Sequence, residues 1–127
     1  MSQLQLSYTL DALINDVWQA LTSAERIEEW TGSPAIIDAL EGSEINLWDG
    51  LVTGTVIESL PEQKITLDWQ QKNYHFQVEI ELISDDGITR IDILINTTDD
   101  QVNWDEVEQF WEEEIIAPLR SYLETDI

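Results

Sequence analysis

The chain has 127 residues with six tryptophans and no cysteine, and its 27 Asp and Glu against five Lys and Arg give a formal net charge of -22. A field of that sign repels nucleic-acid phosphates and anionic lipid headgroups, which excludes both as partners and leaves a basic protein surface as the complementary one. The length fits one domain, residues 1–127, whose 43% hydrophobic content supplies a single core, and the lack of cysteine excludes disulfides and thiol chemistry. The acidity also has a plainer reading: it serves solubility or a salty cytoplasm, where charges are screened over about 3 Å at 1 M salt. Met1-Ser2-Gln3-Leu4 offers no basic stretch followed by an apolar one, and no run nears the roughly 18 apolar residues of a membrane span. A cytoplasmic location is expected. Asn96-Thr97-Thr98 matches a glycosylation sequon, read here as chance in the absence of a secretion signal.

In chain order, Leu4, Leu6, Tyr8 and Leu10 alternate with polar residues and predict a half-buried first strand. From Leu13 to Leu21 the period changes, with Leu13, Val17, Trp18 and Leu21 on one face of a short helix. Thr22-Ser23-Ala24-Glu25 has the form of a capping box for a second helix over about 23–30, which turns Ile27 and Trp30 inward. Thr31-Gly32-Ser33-Pro34 ends it, and Ala35 to Asp38 is a weak strand candidate. Ile45 and Leu47 share a strand face, Asp49-Gly50 predicts a type I′ turn, and strands follow over 51–60 and 64–70. Gly54 marks either a bulge or close packing beneath a tryptophan. Gln71-Lys72-Asn73 turns the chain into the cleanest alternation present, Tyr74, Phe76, Val78, Ile80 and Leu82. Asp85-Asp86-Gly87 then leads to inward Ile91, Ile93 and Ile95. Asn103 caps a long last helix carrying Val107, Phe110, Trp111, Ile115, Leu119 and Tyr122 on one face, with a kink expected near Glu114 and Ile115 because Pro118 lacks a backbone donor. The arrangement that buries all these faces is α+β: a curved antiparallel sheet of six to seven strands, two short helices after strand 1, and the long C-terminal helix across the concave face.

No catalytic constellation stands out. His75 is the single histidine, falls on the strand face opposite Tyr74 and Phe76, and has no second histidine or cysteine with which to form a metal or nucleophile site. Asp85-Asp86, Asp99-Asp100 and Glu112-Glu113-Glu114 lack the spacing of a calcium loop and read as solvated surface, and the scattered glycines form no phosphate-binding loop. No cofactor is implied. The aromatics are the remaining signal: Trp69 lies on the dry face of its strand, and Trp104 and Trp111 are seven residues apart on the last helix. With Phe76 and Phe110 they are the candidate wall of a pocket between sheet and helix, and equally the side chains that fill that space.

Three stretches carry a family likeness. Asp11 to Leu21 with the later Trp30, the segment from Gly42 to Trp69 with its LWDG, TG and LPEQKI elements, and Phe110-Trp111 followed by Ile115, Ile116, Pro118, Leu119 and Arg120 together span nearly the whole chain. They resemble the START-like, helix-grip superfamily (SRPBCC), within it the activator of Hsp90 ATPase homologue 1-like family. The resemblance implies a non-enzymatic binding domain, for either a hydrophobic small molecule held between sheet and final helix or a protein partner. Its alternative implication is a co-chaperone-like protein that binds an Hsp90-type ATPase and stimulates it.

Overall fold

The computed structural model describes residues 2–72, 74–99 and 101–124. Asn73 of the expected turn, Asp100 of the Asp99-Asp100 pair and residues 125–127 lie outside the described residues. Six strands form one antiparallel sheet in the order β1-β6-β5-β4-β3-β2: β1 (Ser2–Leu10), β2 (Glu44–Leu47), β3 (Val52–Leu60), β4 (Lys64–Gln71), β5 (Tyr74–Asp85) and β6 (Ile88–Thr97). All the connections from β2 to β6 are hairpins, whereas β1 crosses to the far edge and pairs with β6 from Ser2↔Thr97 to Leu10↔Thr89. The excursion between β1 and β2 holds α1 (Ile14–Thr22) and α2 (Ala24–Thr31). Helix α3 (Trp104–Phe110), a π-helical segment (Trp111–Ile116) and α4 (Ala117–Glu124) run on without a break as the C-terminal helix.

The hairpins follow from turn chemistry. At Asp49-Gly50 both central residues have positive φ, 52° and 96°, and the Leu51 amide donates to the Trp48 carbonyl at 3.2 Å, which is the expected type I′ turn. Asp86 and Gly87, φ 51° and 86°, make a second two-residue turn between the paired Asp85 and Ile88. The period-2 runs then bury one face each: Ile65, Leu67 and Trp69 on β4, Phe76, Val78, Ile80 and Leu82 on β5, Ile91, Ile93 and Ile95 on β6. Against them the last helix sets Val107, Trp111, Ile115, Ile116 and Leu119, all buried.

Several expectations are corrected. The segment Ala35 to Asp38 contributes a single bridge, Ile36 to Asn46, so the sheet has six named strands. Leu13 is 61% exposed because α1 starts one residue later and Leu13 is its extended N-cap. The cap of α2 is Ser23, whose hydroxyl accepts from the Arg26 amide at 3.4 Å; the Thr22 hydroxyl donates back to the Trp18 carbonyl at 2.7 Å, as threonines in a last helical turn do. Thr66, expected on the wet face of β4, is buried. The irregularity in β3 lies between Val56 and Glu58, at Ile57, so of the two expectations for Gly54 close packing is the one that applies. Gly54 pairs with Trp69, and a Cβ there would stand 1.8 Å from the Asp68 carbonyl oxygen.

Pro118 is answered by a change of winding upstream. Its missing N–H would have bonded the Glu114 carbonyl, and the helix accommodates the loss upstream by widening one turn over Trp111–Ile116, with the Ala117 amide reaching back five residues to Glu112. Polar bonds lock the helix to its surroundings: the Asn103 side chain caps it by accepting from the Glu106 amide at 3.2 Å, Arg120 Nη2 donates to the Thr9 carbonyl at 2.9 Å, and the Tyr122 hydroxyl donates to Glu29.

Two outcomes test this packing. Gly54→Ala forces an impossible approach to the β4 backbone, and urea unfolding should show a loss of about 3 kcal/mol; Gly42→Ala, in open space, should lose only the roughly 1 kcal/mol of its left-handed φ. Partial burial, then the carboxylates of Glu112 and Glu108, push the Tyr8 phenol up to about 12. A folded value above the unfolded one near 10 means that the neutral phenol contributes stability fully below about pH 10 and loses it as the pH rises through about 12. A tyrosinate absorbance titration should therefore contain a late step that Tyr8→Phe removes.

Candidate functional site

The space between sheet and C-terminal helix is organised by aromatic side chains. The ring of Trp111, carried by the π-helical segment, lies 5.2 Å from that of Trp69 on β4 with planes 31° apart, and both are almost wholly buried. Trp69 Nε1 donates to Gln71 Oε1 at 3.0 Å, which satisfies the polar atom of that indole. Nearer the start of the helix, Trp104 lies 6.0 Å from Phe76, which in turn lies 5.6 Å from Tyr74. Phe110 meets Trp48 edge-on at 5.4 Å, and Trp48 meets Trp30 edge-on at 6.5 Å. Trp30 is fixed by its own Nε1 donating to the Ala20 carbonyl at 2.9 Å.

The five candidate wall residues therefore separate. Trp69 and Trp111 border an interior cavity of about 40 Å³, enclosed otherwise by Leu21, Ile27, Trp48 and Ile115 among others. That volume is close to one water's share of liquid, about 30 Å³, and far below the roughly 300 Å³ at which ligand pockets begin. Phe76 and Phe110 face a different hollow, an open groove of about 210 Å³ between the start of β5 and the first turns of the helix. Trp104 stacks on Phe76 at its end and lines neither. Trp30 and Trp48, absent from the sequence-derived wall, are the residues that cover the interior cavity. Trp48 sits at φ 51° beside the Asp49-Gly50 turn, where no strand or helix period announces which way a side chain points.

Elsewhere the surface is charged and open. His75 stands on the outer face of β5, 63% exposed, with Nε2 against the Asp68 carboxylate on the neighbouring strand. A larger concavity of about 650 Å³ lies on the outer face of β1, β6 and β5, walled by Glu79, Glu81, Arg90 and Asp92. It is shallow and open, with both charge signs, and Arg90 is already engaged in two contacts with Asp92 at 3.1 and 3.2 Å. On the same face, hydrogen bonds that the Lys64 ammonium donates to Glu79 and then to Glu58 hold it above the ordinary lysine range. Among the described residues no group of three His, Asp or Glu side chains is placed to hold a metal ion, and no helix is long and apolar enough to cross a membrane.

Comparison with known proteins agrees with this architecture. The mouse protein "Activator of 90 kDa heat shock protein ATPase homolog 2" is 24% identical over 94 residues, which is 71% of this chain and 28% of that one. This chain thus spans about a quarter of the length of the curated relatives it matches. Among solved structures, an HSP90 activator from Plasmodium falciparum superposes with a TM-score of 0.85 at 18% identity, covering 98% of this chain and 97% of that one. CalU16 from Micromonospora echinospora gives a TM-score of 0.85 at 25% identity, covering 98% and 76%. Residues 11–124, from the start of the first helical excursion to the last described turn, match the model of one family, and the chain belongs to it: the activator of Hsp90 ATPase homolog 1-like proteins.

Proposed function

We propose that this chain is a binding domain without chemistry of its own, which docks an Hsp90-type ATPase through its surface and stimulates ATP turnover there. The observation that carries the reading is the filled interior: the Trp69–Trp111 stack leaves about 40 Å³, so recognition falls to the outside of the fold. The names of its relatives supply the kind of partner. The charge supplies the kind of contact. Four of the five basic side chains already pair with carboxylates within the chain: Lys64 with Glu58 and Glu79, Lys72 with Glu106, Arg90 with Asp92, and Arg120 with Glu124. The net charge of -22 is left to meet basic patches on a partner.

The second reading is an apolar small molecule held between sheet and helix against Trp69, Phe76, Trp104, Phe110 and Trp111. The wholly apolar lining of the interior cavity favours it, and it requires the helix to move away from the sheet to enlarge that space.

Steady-state ATP turnover of an Hsp90-type ATPase, measured with and without the chain at about 0.05 M and about 0.5 M salt, separates the two readings. Surface docking predicts stimulation at low salt that weakens at least about tenfold in apparent affinity at high salt. No association at either salt, together with an apolar molecule retained through purification, would overturn it in favour of the interior site.

A further inference from the structure

The open groove beside the interior cavity combines an apolar floor with a rim that is mainly acidic, three carboxylates against the one ammonium of Lys72. Phe76 and Val107 form its buried bottom, and Tyr74 and Phe110, each half-buried, form its walls. Three exposed carboxylates, Glu106, Glu113 and Glu114, all line the groove from the helix side. Lys72 approaches Glu106 at 3.9 Å and partly neutralises that end. At the other end Glu113 only accepts from the Gln109 amide at 3.3 Å, and Glu114 has no ion-pair partner among the described residues. Glu112, the third acid of the run, is turned to the opposite side of the helix, where Tyr8 Oη donates to it at 3.5 Å.

We propose that this groove docks a basic segment of a protein partner: an exposed stretch in which lysine or arginine flanks one apolar side chain. The inference rests on the protein-partner reading above and names its surface and its chemistry. At about 210 Å³ the groove is too small and too open to enclose a ligand, and admits one apolar side chain between Tyr74 and Phe110. The flanking cations then meet Glu113 and Glu114, and the faces of the two rings attract them further. Charge complementarity selects this occupant over the others. A second copy would bring a charge of -22 against -22, and a neutral small molecule makes no use of the carboxylates.

Fluorescence anisotropy of the full chain with three labelled short peptides tests the proposal: one with lysines and arginines around a leucine, one with glutamates in their place, and one uncharged around the same leucine. The basic peptide should bind, with the other two at least about tenfold weaker. The double variant Glu113→Lys with Glu114→Lys should weaken the basic peptide about tenfold. Glu81→Lys with Asp85→Lys makes the same charge change on exposed positions at least five residues along β5 from the groove, roughly 17 Å away, and should change it less than about twofold. Near-UV circular dichroism confirms that each variant keeps the native packing. Failure of the basic peptide to bind, equal binding of the uncharged peptide, or equal weakening by both variants would overturn the groove assignment. An ATPase whose stimulation is untouched by the Glu113 and Glu114 reversals would also overturn it while leaving the protein-partner reading intact. A chain that binds the basic peptide through these residues but no Hsp90-type ATPase would retain the groove and discard that partner.

Discussion

The contact between Trp111 and Trp69 is the constraint on which the rest of the structure depends. It is the point where the C-terminal helix is pressed against the middle of the sheet, with ring centroids 5.2 Å apart and both rings buried. The strand that carries Trp69 lies close against β3, and Gly54 directly across permits this by letting the two backbones close up where a Cβ would collide with the Asp68 carbonyl. Trp111 needs a helix turned so that Ile115, Ile116 and Leu119 also face the sheet, a spread of side chains wider than a regular α-helical stripe. The π-helical turn over Trp111–Ile116 supplies that rotation and at the same moment absorbs the donor that Pro118 lacks. Sheet, helix and interior volume are thus settled together. Little room is left inside.

Filling the interior moves the chemistry to the surface, and the surface has one dominant property. Exposed ion pairs of the kind that Lys64, Lys72, Arg90 and Arg120 form contribute little each, so the cations serve mainly to blunt local repulsion. The remaining carboxylates repel one another across the fold. They are compensated either by salt or by a partner that carries the opposite charge. Where the same field meets exposed aromatic surface, beside Tyr74 and Phe110, it acquires a direction that a uniformly charged face lacks.

Most of this fold was legible in the sequence, because its signals are local. The alternation through β5 and β6, the Asp-Gly turns with φ above zero and the apolar stripe of the last helix each act over a few residues and give the same answer as the tertiary structure. What the sequence left unread depends on distant atoms. The reason for Gly54 lies fourteen residues away on β4. Thr22 and Ser23 are equally good caps until the helix boundary is known. Pro118 announces a lost hydrogen bond but not whether a kink or a widened turn compensates for it. The aromatic wall was the least readable part: five residues chosen for their periodicity fall into an interior pair, a groove and a stack. Trp30, read as inward-facing from its helix, was not assigned to the wall, and Trp48 lies at a turn where periodicity carries no information.

The central claim is that the space between sheet and helix is occupied by the protein itself. It is tested most directly by following the indole N–H resonances of Trp69 and Trp111 during titration with a neutral apolar ligand, a choice that keeps the charge of the chain out of the result. The account predicts that both resonances stay where they are in the free protein. A saturable shift of both, at ligand concentrations that leave the surface resonances unmoved, would show that the helix yields and the interior binds.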